Sequence, residues 1–416
     1  MLSIEGNIVK ENNVERGRIE IDIASGLISK ITETTGVADI ILKEELIFPG
    51  FIDLHVHARE CSDHTQDYKE DFKTVSEASI NGGVTAIAEM PNNPTPPIDE
   101  ESYEAKKKLT EKSLVEVVLY AGIGPHTSKL SRKVPYKAFM GPSVGDLFFH
   151  SNEELEEVIK NYEGENISFH CEDPILLEEN KNADTHETKR PKEAEIKAVD
   201  FAIYLIQKYN LKGKVCHAST LESIQKIIKA REAGVNISAE ITPHHLFFDV
   251  SMINDTNRKW LQINPPIRQG AENRLALIQL LKEGKIDYLA TDHAPHTIEE
   301  KEKGTSGMPH LDTYGYFVVW LMKEHNFTPM EIARVCSTNP ANFLNEFSTS
   351  KYGKMEVDFM GSFTIIDLQK KYTVKKEDLK TKCLWSPFED MTFDGDVVMT
   401  IIRGKILKDK IQKNAK

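Results

Sequence analysis

Two histidines one residue apart, His55-Val56-His57, are the first place in this chain where residue type and spacing suggest chemistry. Positions i and i+2 lie on one side of a strand, so both imidazoles can point the same way. Imidazole is a good Zn2+ ligand, and three or four N/O donors with one open position make a catalytic site. A lone HxH also fits two strand histidines near a surface, so the other polar residues must decide. His170 closes the run ISFHC, His217 closes KVCHA, and Asp292 follows IDYLAT. Lys137 lies early in YKAFM, an otherwise apolar run. A buried, unpaired ammonium is costly, and lysine loses its proton readily when desolvated. A neutral amine reacts with CO2 to give a carbamate, an anionic ligand able to bridge two metal ions. The plain alternative is a lysine snorkelling out at a strand end. Asp146, in GPSVGD, is a second candidate for a bridging carboxylate.

These residues need a scaffold that brings distant strand ends together. Eight apolar runs alternate with helical stretches: 51–57, 85–90, 115–123, 136–140, 167–171, 214–218, 235–242 and 286–291. That rhythm reads as a parallel sheet or barrel, and eight strands close a (β/α) barrel, whose strand C-termini form one rim. Helix signals lie between the runs: Ser151 with Glu154, Thr328-Pro329 with Glu331, and Ile224, Ile227 and Ile228 on one face after Thr220, with Gly234 as a stop. The segment 124–135, GPHTSKLSRKVP, is too short and broken for a helix, so a distortion is expected there. Both chain ends carry short alternating β segments, SIEGNIVK, GRIEIDI, LISKITE and DIILK at one and GSFTIIDL, KYTVK, VVMTIIRG and KILK at the other. The expected fold is an α/β (β/α)8 TIM-type barrel, distorted in one segment, at 49–345, with a small β-rich accessory domain built from both termini, 1–48 and 346–416.

The 416 residues suffice for such an arrangement at about 150 residues per domain. The formal net charge of −13 would repel a nucleic-acid backbone or an anionic membrane, so neither is an expected partner. No run approaches a membrane span, and the N-terminal segment lacks the basic and apolar regions of a signal peptide. Five cysteines with no CxxC pair fit a reducing cytoplasm. Cys171 and Cys216 adjoin His170 and His217, and strand alternation is expected to turn both thiols to the opposite face.

The segments PGFIDLHVHARE, EMPNNP, YKAFM, SFHCED, CHAS, TPHHL, NPPIR, TDHAPH and STNPANFL, in this order over about 45–345, resemble the amidohydrolase superfamily, its cyclic-amidase branch and, within it, the dihydroorotases. The resemblance implies that His55, His57 and Asp292 hold a first divalent metal ion, with Zn2+ the first choice, and His170 and His217 a second. A CO2-derived carbamate on Lys137 and a water or hydroxide would bridge them. Asp292 would also be the general acid and base. The implied reaction is the reversible cyclisation of N-carbamoyl-L-aspartate to L-dihydroorotate, with loss of water, in de novo pyrimidine biosynthesis. Arg59, Asn92 and His296 match positions that bind the ring carboxylate, and Asn264 one that hydrogen-bonds the pyrimidine ring. Arg59 could instead pair with Glu60 or Asp63 at the surface.

Some positions depart from the family pattern. Arg59-Glu60 is followed by Cys61-Ser62 instead of Pro-Gly, and His310 replaces a glycine in GMPHLDT. Some dihydroorotases use an aspartate in place of the carbamylated lysine, which keeps Asp146 in view. His244 and His245 read as supporting residues. A dihydropyrimidinase, hydantoinase or allantoinase would share the metal chemistry without a ring carboxylate to bind. A non-catalytic scaffold would keep only the barrel. The resemblance also implies a homodimer or an association with aspartate transcarbamoylase.

Overall fold

The computed structural model describes residues 1–142, 147–268 and 270–411, so Asp146 lies outside the described residues. The chain begins with four strands, β1 (Leu2–Val9), β2 (Val14–Asp22), β3 (Leu27–Thr32) and β4 (Ile40–Pro49). It then enters the barrel through β5 (Phe51–Val56), β6 (Val84–Glu89), β7 (Glu116–Leu119), β8 (Ala121–Ile123), β9 (Tyr136–Phe139), β10 (Asn166–His170), β11 (Lys212–Val215), β12 (Ile237–Ile241) and β13 (Tyr288–Leu289). Five further strands follow: β14 (Phe363–Asp367), β15 (Tyr372–Thr373), β16 (Thr392–Phe393), β17 (Asp396–Ile402) and β18 (Lys405–Asp409).

The barrel is a (β/α)8 closure in two arcs of parallel strands, β5-β6-β7 and β8-β9-β10-β11-β12-β13. The third apolar run supplies both β7 and β8. It changes partner at Tyr120, whose N–H donates to the Glu89 carbonyl (3.0 Å) while the next N–H, from Ala121, donates to Pro135 (2.9 Å). No helix forms over 124–135, and the arcs meet at this partner change. The distortion expected from that segment is present. At the other seam, Val56 bridges His293 in parallel and the His57 N–H donates to the His293 carbonyl (2.8 Å).

Helices cover the outside where their caps allow. Asp71 caps Phe72–Gly82 by accepting from the Thr74 N–H, and Gly83 ends it in the left-handed region (φ 85). Thr220 caps Leu221–Glu232, which buries Ile224 and Ile227. Thr328 and Glu331 form the expected capping box. Ser151 caps Asn152–Ile159, but Glu154 reaches back to the N–H of His150 instead of that of Ser151.

Both termini build one seven-stranded sheet in the order β18-β17-β14-β4-β1-β2-β3. Ile4, Ile8, Ile19, Ile47, Phe363, Ile365 and Ile401 pack on one another there. KYTVK does not join it, because β15 pairs with β16 in a separate ladder. Among the described residues no helix is long and apolar enough to cross a membrane.

Helix Phe72–Gly82 approaches the turn Leu311–Thr313 so closely that a Cβ on Gly82 would lie 1.8 Å from the Leu311 carbonyl oxygen. Gly82→Ala is expected to lower the unfolding free energy by about 1–3 kcal/mol. Denaturant melts would check this, and an unchanged midpoint would contradict it.

Candidate active site

The site forms at the C-terminal rim, starting from β5. Against β6, this strand steps three residues from Asp53 to Val56 while its partner steps two, from Ile87 to Glu89. Such a bulge re-aims the side chains next to it. Asp53 secures the bulge by accepting from the N–H groups of His55 (3.1 Å) and Thr291 (3.0 Å) and from the Thr291 hydroxyl. One buried carboxylate thus ties the His55-Val56-His57 segment to the strand end that carries Asp292. Burial raises its pKa to about 7, against the hydrogen bonds from Thr291 and His55.

The five sequence-predicted imidazole and carboxylate residues converge. Asp292 Oδ1 lies 3.0 Å from His57 Nε2 and 3.2 Å from His55 Nε2. His170 Nδ1 lies 2.9 Å from His217 Nε2, and the His55 and His217 ring centroids are 5.2 Å apart. His55, His217 and Asp292 each offer one ligand atom to a common group spanning less than 4.8 Å. Lys137 is fully buried on β9, beside β10, with Nζ 2.9 Å from Cys216 Sγ. Burial first, and then neighbouring positive charge including that of Lys137, lowers the pKa of His57 and His217 well below the ordinary value. Burial takes His55 to about 3. Asp292 moves the other way, to about 8, because burial outweighs the attraction of Lys137.

These imidazoles are neutral near pH 7, with lone pairs available for ligation. Among the described residues, His57 Nδ1 and His217 Nδ1 are buried without a hydrogen-bond partner. Four neutral imidazoles and a carboxylate around one cleft, two of them with unsatisfied ring nitrogens, form a donor set that fits Zn2+ or a similar divalent ion.

The cleft is lined by His55, His57, His170, His217 and Asp292 together with Arg59, Asn92 and Asn264. Arg59 is 1 % exposed and pairs with neither Glu60 nor Asp63. Glu60 binds Lys112 and the Phe72 N–H, and Asp63 caps Thr65. Arg59 Nε donates to the Pro295 carbonyl (3.2 Å) and Nη2 to His296 Nε2 (3.1 Å). His296 is held in turn by Glu300, which also binds Lys69 and the Tyr68 hydroxyl. His296 therefore touches the arginine from behind and is absent from the cleft lining. Arg59 (φ 62), His217 (φ 35) and Asp292 (φ 49) all adopt left-handed backbone, a conformation that costs a non-glycine residue energy and clusters at functional sites.

Cys171 packs in the outer core, as alternation requires, but Cys216 faces Lys137 inside the barrel. The alternation fails because β11 ends at Val215 and the chain turns at His217. His245 bonds Thr242 and the Pro265 carbonyl, while His244 stacks on His310 with its Nδ1 3.0 Å from His310 Nε2. His310 thus fills the place of the expected glycine with a buried ring contact. Gly307, in the same loop, lines the cleft.

Several partners of the site escaped the sequence reading. Glu240 Oε1 accepts from His55 Nδ1 (2.6 Å), and its Oε2 binds Lys214 Nζ (2.6 Å). Glu172 binds His170 Nε2 (2.9 Å) and Arg190. Burial raises the pKa of both glutamates, but Lys214 and His55 in one case, and Arg190 and His170 in the other, outweigh it and hold them below the usual carboxylate range. The visible signal was a charged residue inside an apolar run, as with Asp53 in FIDLHVH and Glu240 in ISAEI.

The chain matches the amidohydrolase family over residues 46–407 and belongs to it. It is, by that membership, a hydrolase. It is 35% identical over 418 residues to the dihydroorotase of Thermococcus kodakarensis, covering 98% of this chain and 94% of that one. It is 30% identical over 433 residues to the dihydroorotase of Staphylococcus aureus strain Mu50, covering 96% and 97%. In fold it resembles the L-hydantoinase of Arthrobacter aurescens, with TM-score 0.87, 22% identity and coverage of 98% and 96%.

Burial lowers the pKa values of His55, His57, His217, His244, His296 and His310 below 6.5. As pH falls through 6.5 the unfolded chain takes up protons that the folded one refuses, so stability is lost. Asp53, Glu89 and Asp292, raised to about 7, 7 and 8, act in the opposite sense but are fewer. Chelator-treated protein is expected to melt at a lower temperature at about pH 5.5 than at about pH 7.5. A higher melting temperature in acid would contradict this balance.

Proposed function

We propose that this chain is a dihydroorotase that interconverts N-carbamoyl-L-aspartate and L-dihydroorotate. The observation that carries the reading is Arg59, a buried guanidinium braced by His296 and opening onto the same cleft as the histidine cluster. Dihydroorotate bears a ring carboxylate, whereas hydantoin, dihydrouracil and allantoin have none. A fixed, forked cation is the complement of a carboxylate. The identity to dihydroorotases over nearly the whole chain supports the same reading.

In this proposal His55, His57 and Asp292 would hold one divalent metal ion and His170 and His217 a second, with Lys137 as its carbamate between them. Zn2+ is the first choice. Two such cations, when bound, supply hydroxide near neutral pH and polarise the scissile carbonyl. The protein's own groups orient and move protons. Arg59 and Asn92 take the substrate carboxylate, and Asn264 takes the ring amide. Together they set the reacting carbonyl toward Asp292. Asp292 accepts the proton lost by the attacking water and delivers it to the departing ring nitrogen. The same group runs both steps in reverse during ring closure. A full set of donors around the cleft supports a working enzyme over a scaffold.

The test is an assay of L-dihydroorotate against hydantoin, dihydrouracil and allantoin, with and without a chelator. Turnover of dihydroorotate alone, abolished by the chelator and restored by Zn2+, is expected; preference for a ring without a carboxylate would overturn the assignment. Arg59→Met should keep the metal content and lose at least about 100-fold in kcat/KM for dihydroorotate, the scale of losing a charged hydrogen-bonded contact. Undiminished activity would remove Arg59 from the substrate site.

A further inference from the structure

Beneath the cleft, in the barrel interior, lies an ion pair that the reaction just described does not use. Lys214 on β11 and Glu240 on β12 sit on neighbouring parallel strands and are 1 % and 0 % exposed. Lys214 Nζ lies 2.6 Å from Glu240 Oε2, walled by the rings of Tyr120 (5.5 Å) and Phe343 (5.3 Å). The other oxygen, Oε1, meets His55 Nδ1 at 2.6 Å and also accepts the backbone N–H of His217 at 3.2 Å. One carboxylate therefore touches the ring of one candidate ligand and the backbone of another, just where that backbone is left-handed. The pair is a poor device for stability alone, since a buried ion pair seldom repays its desolvation.

We propose that Glu240 and Lys214 are positioning residues for metal binding: Glu240 fixes the His55 imidazole as the Nδ1–H tautomer with Nε2 facing Asp292, and Lys214 anchors the carboxylate that does so. The two oxygens divide the work: Oε1 meets the His55 ring and the His217 N–H, and Oε2 meets Lys214. An ionised carboxylate only accepts, so the bond to Nδ1 places the proton there and leaves the Nε2 lone pair toward the cleft. Lys214 occupies the far oxygen, which prevents the carboxylate from rotating away from His55 and the His217 N–H. Lys214 thereby acts on the site without touching a proposed ligand. The inference rests on the metal reading given above and names the residues that make it specific to this chain.

The test uses the full-length protein, stripped of metal and titrated with Zn2+ against a chromophoric chelator. Glu240→Gln and Lys214→Met are each expected to weaken Zn2+ binding on the order of 10- to 100-fold. The double variant should lose little more than the worse single one, since the two act as a unit. Folded variants that bind Zn2+ within about twofold of the unaltered protein would reduce the pair to a structural contact and overturn the proposal. A second measurement needs no variant of the pair. The 15N spectrum of the histidine-labelled, metal-free unaltered protein, with His55 assigned by comparison with His55→Asn, should show His55 protonated at Nδ1. Protonation at Nε2 overturns the proposal even if neither variant folds. Failure of the unaltered protein to bind Zn2+ at all would instead sink the metal reading, while the tautomer still judges the positioning.

Discussion

The site depends on how the first barrel strand meets the last. Asp53 and Thr291 are 238 positions apart, yet the Asp53 carboxylate accepts from the backbone of both His55 and Thr291, and Val56 bridges His293. Without that seam the sheet would be open, and His57 and Asp292 would have no reason to lie 3.0 Å apart. The seam also explains the bulge in β5. A regular strand keeps strict alternation, whereas the extra residue between Asp53 and Val56 turns His55 to the interior while Asp53 stays in the wall.

From this closure follows the electrostatic character of the cleft. Five candidate donor side chains and Lys137 are crowded in a largely buried cleft, so the imidazoles are neutral and Asp292 is reluctant to ionise. Such a cluster of neutral imidazoles beside a carboxyl group is well suited to a cation. The supporting carboxylates Glu240 and Glu172 each have a strong cation behind them, Lys214 and Arg190, and each reaches a different histidine. Arg59 lines the same cleft as the histidines and Asp292, braced through His296 and Glu300.

Much of this was legible in the sequence because it is written in short-range patterns. The eight apolar runs, the missing helix at 124–135 and the β segments at both ends follow from periodicity and from turn residues, which are local properties. The histidines and Asp292 stood out because polar residues at the ends of apolar runs are rare. The partner change at Tyr120, the departure of KYTVK from the terminal sheet, and the inward turn of Cys216 were not legible. Each depends on which strand is adjacent, and spacing along the chain does not encode that. The pairing of Glu240 with Lys214 was hidden for the same reason. Each looks like an isolated charge in a strand until β11 and β12 are laid side by side.

The most direct measurement of the central idea is an anomalous-difference map at the zinc absorption edge, from crystals of protein purified without chelator and supplied with Zn2+. The account predicts density at the rim of the barrel, one peak among His55, His57 and Asp292 and another at His170 and His217. It would be contradicted by a map with no peak there, or with density only at the surface group of Glu60, His64 and Asp67 while the five rim side chains stay bonded to one another.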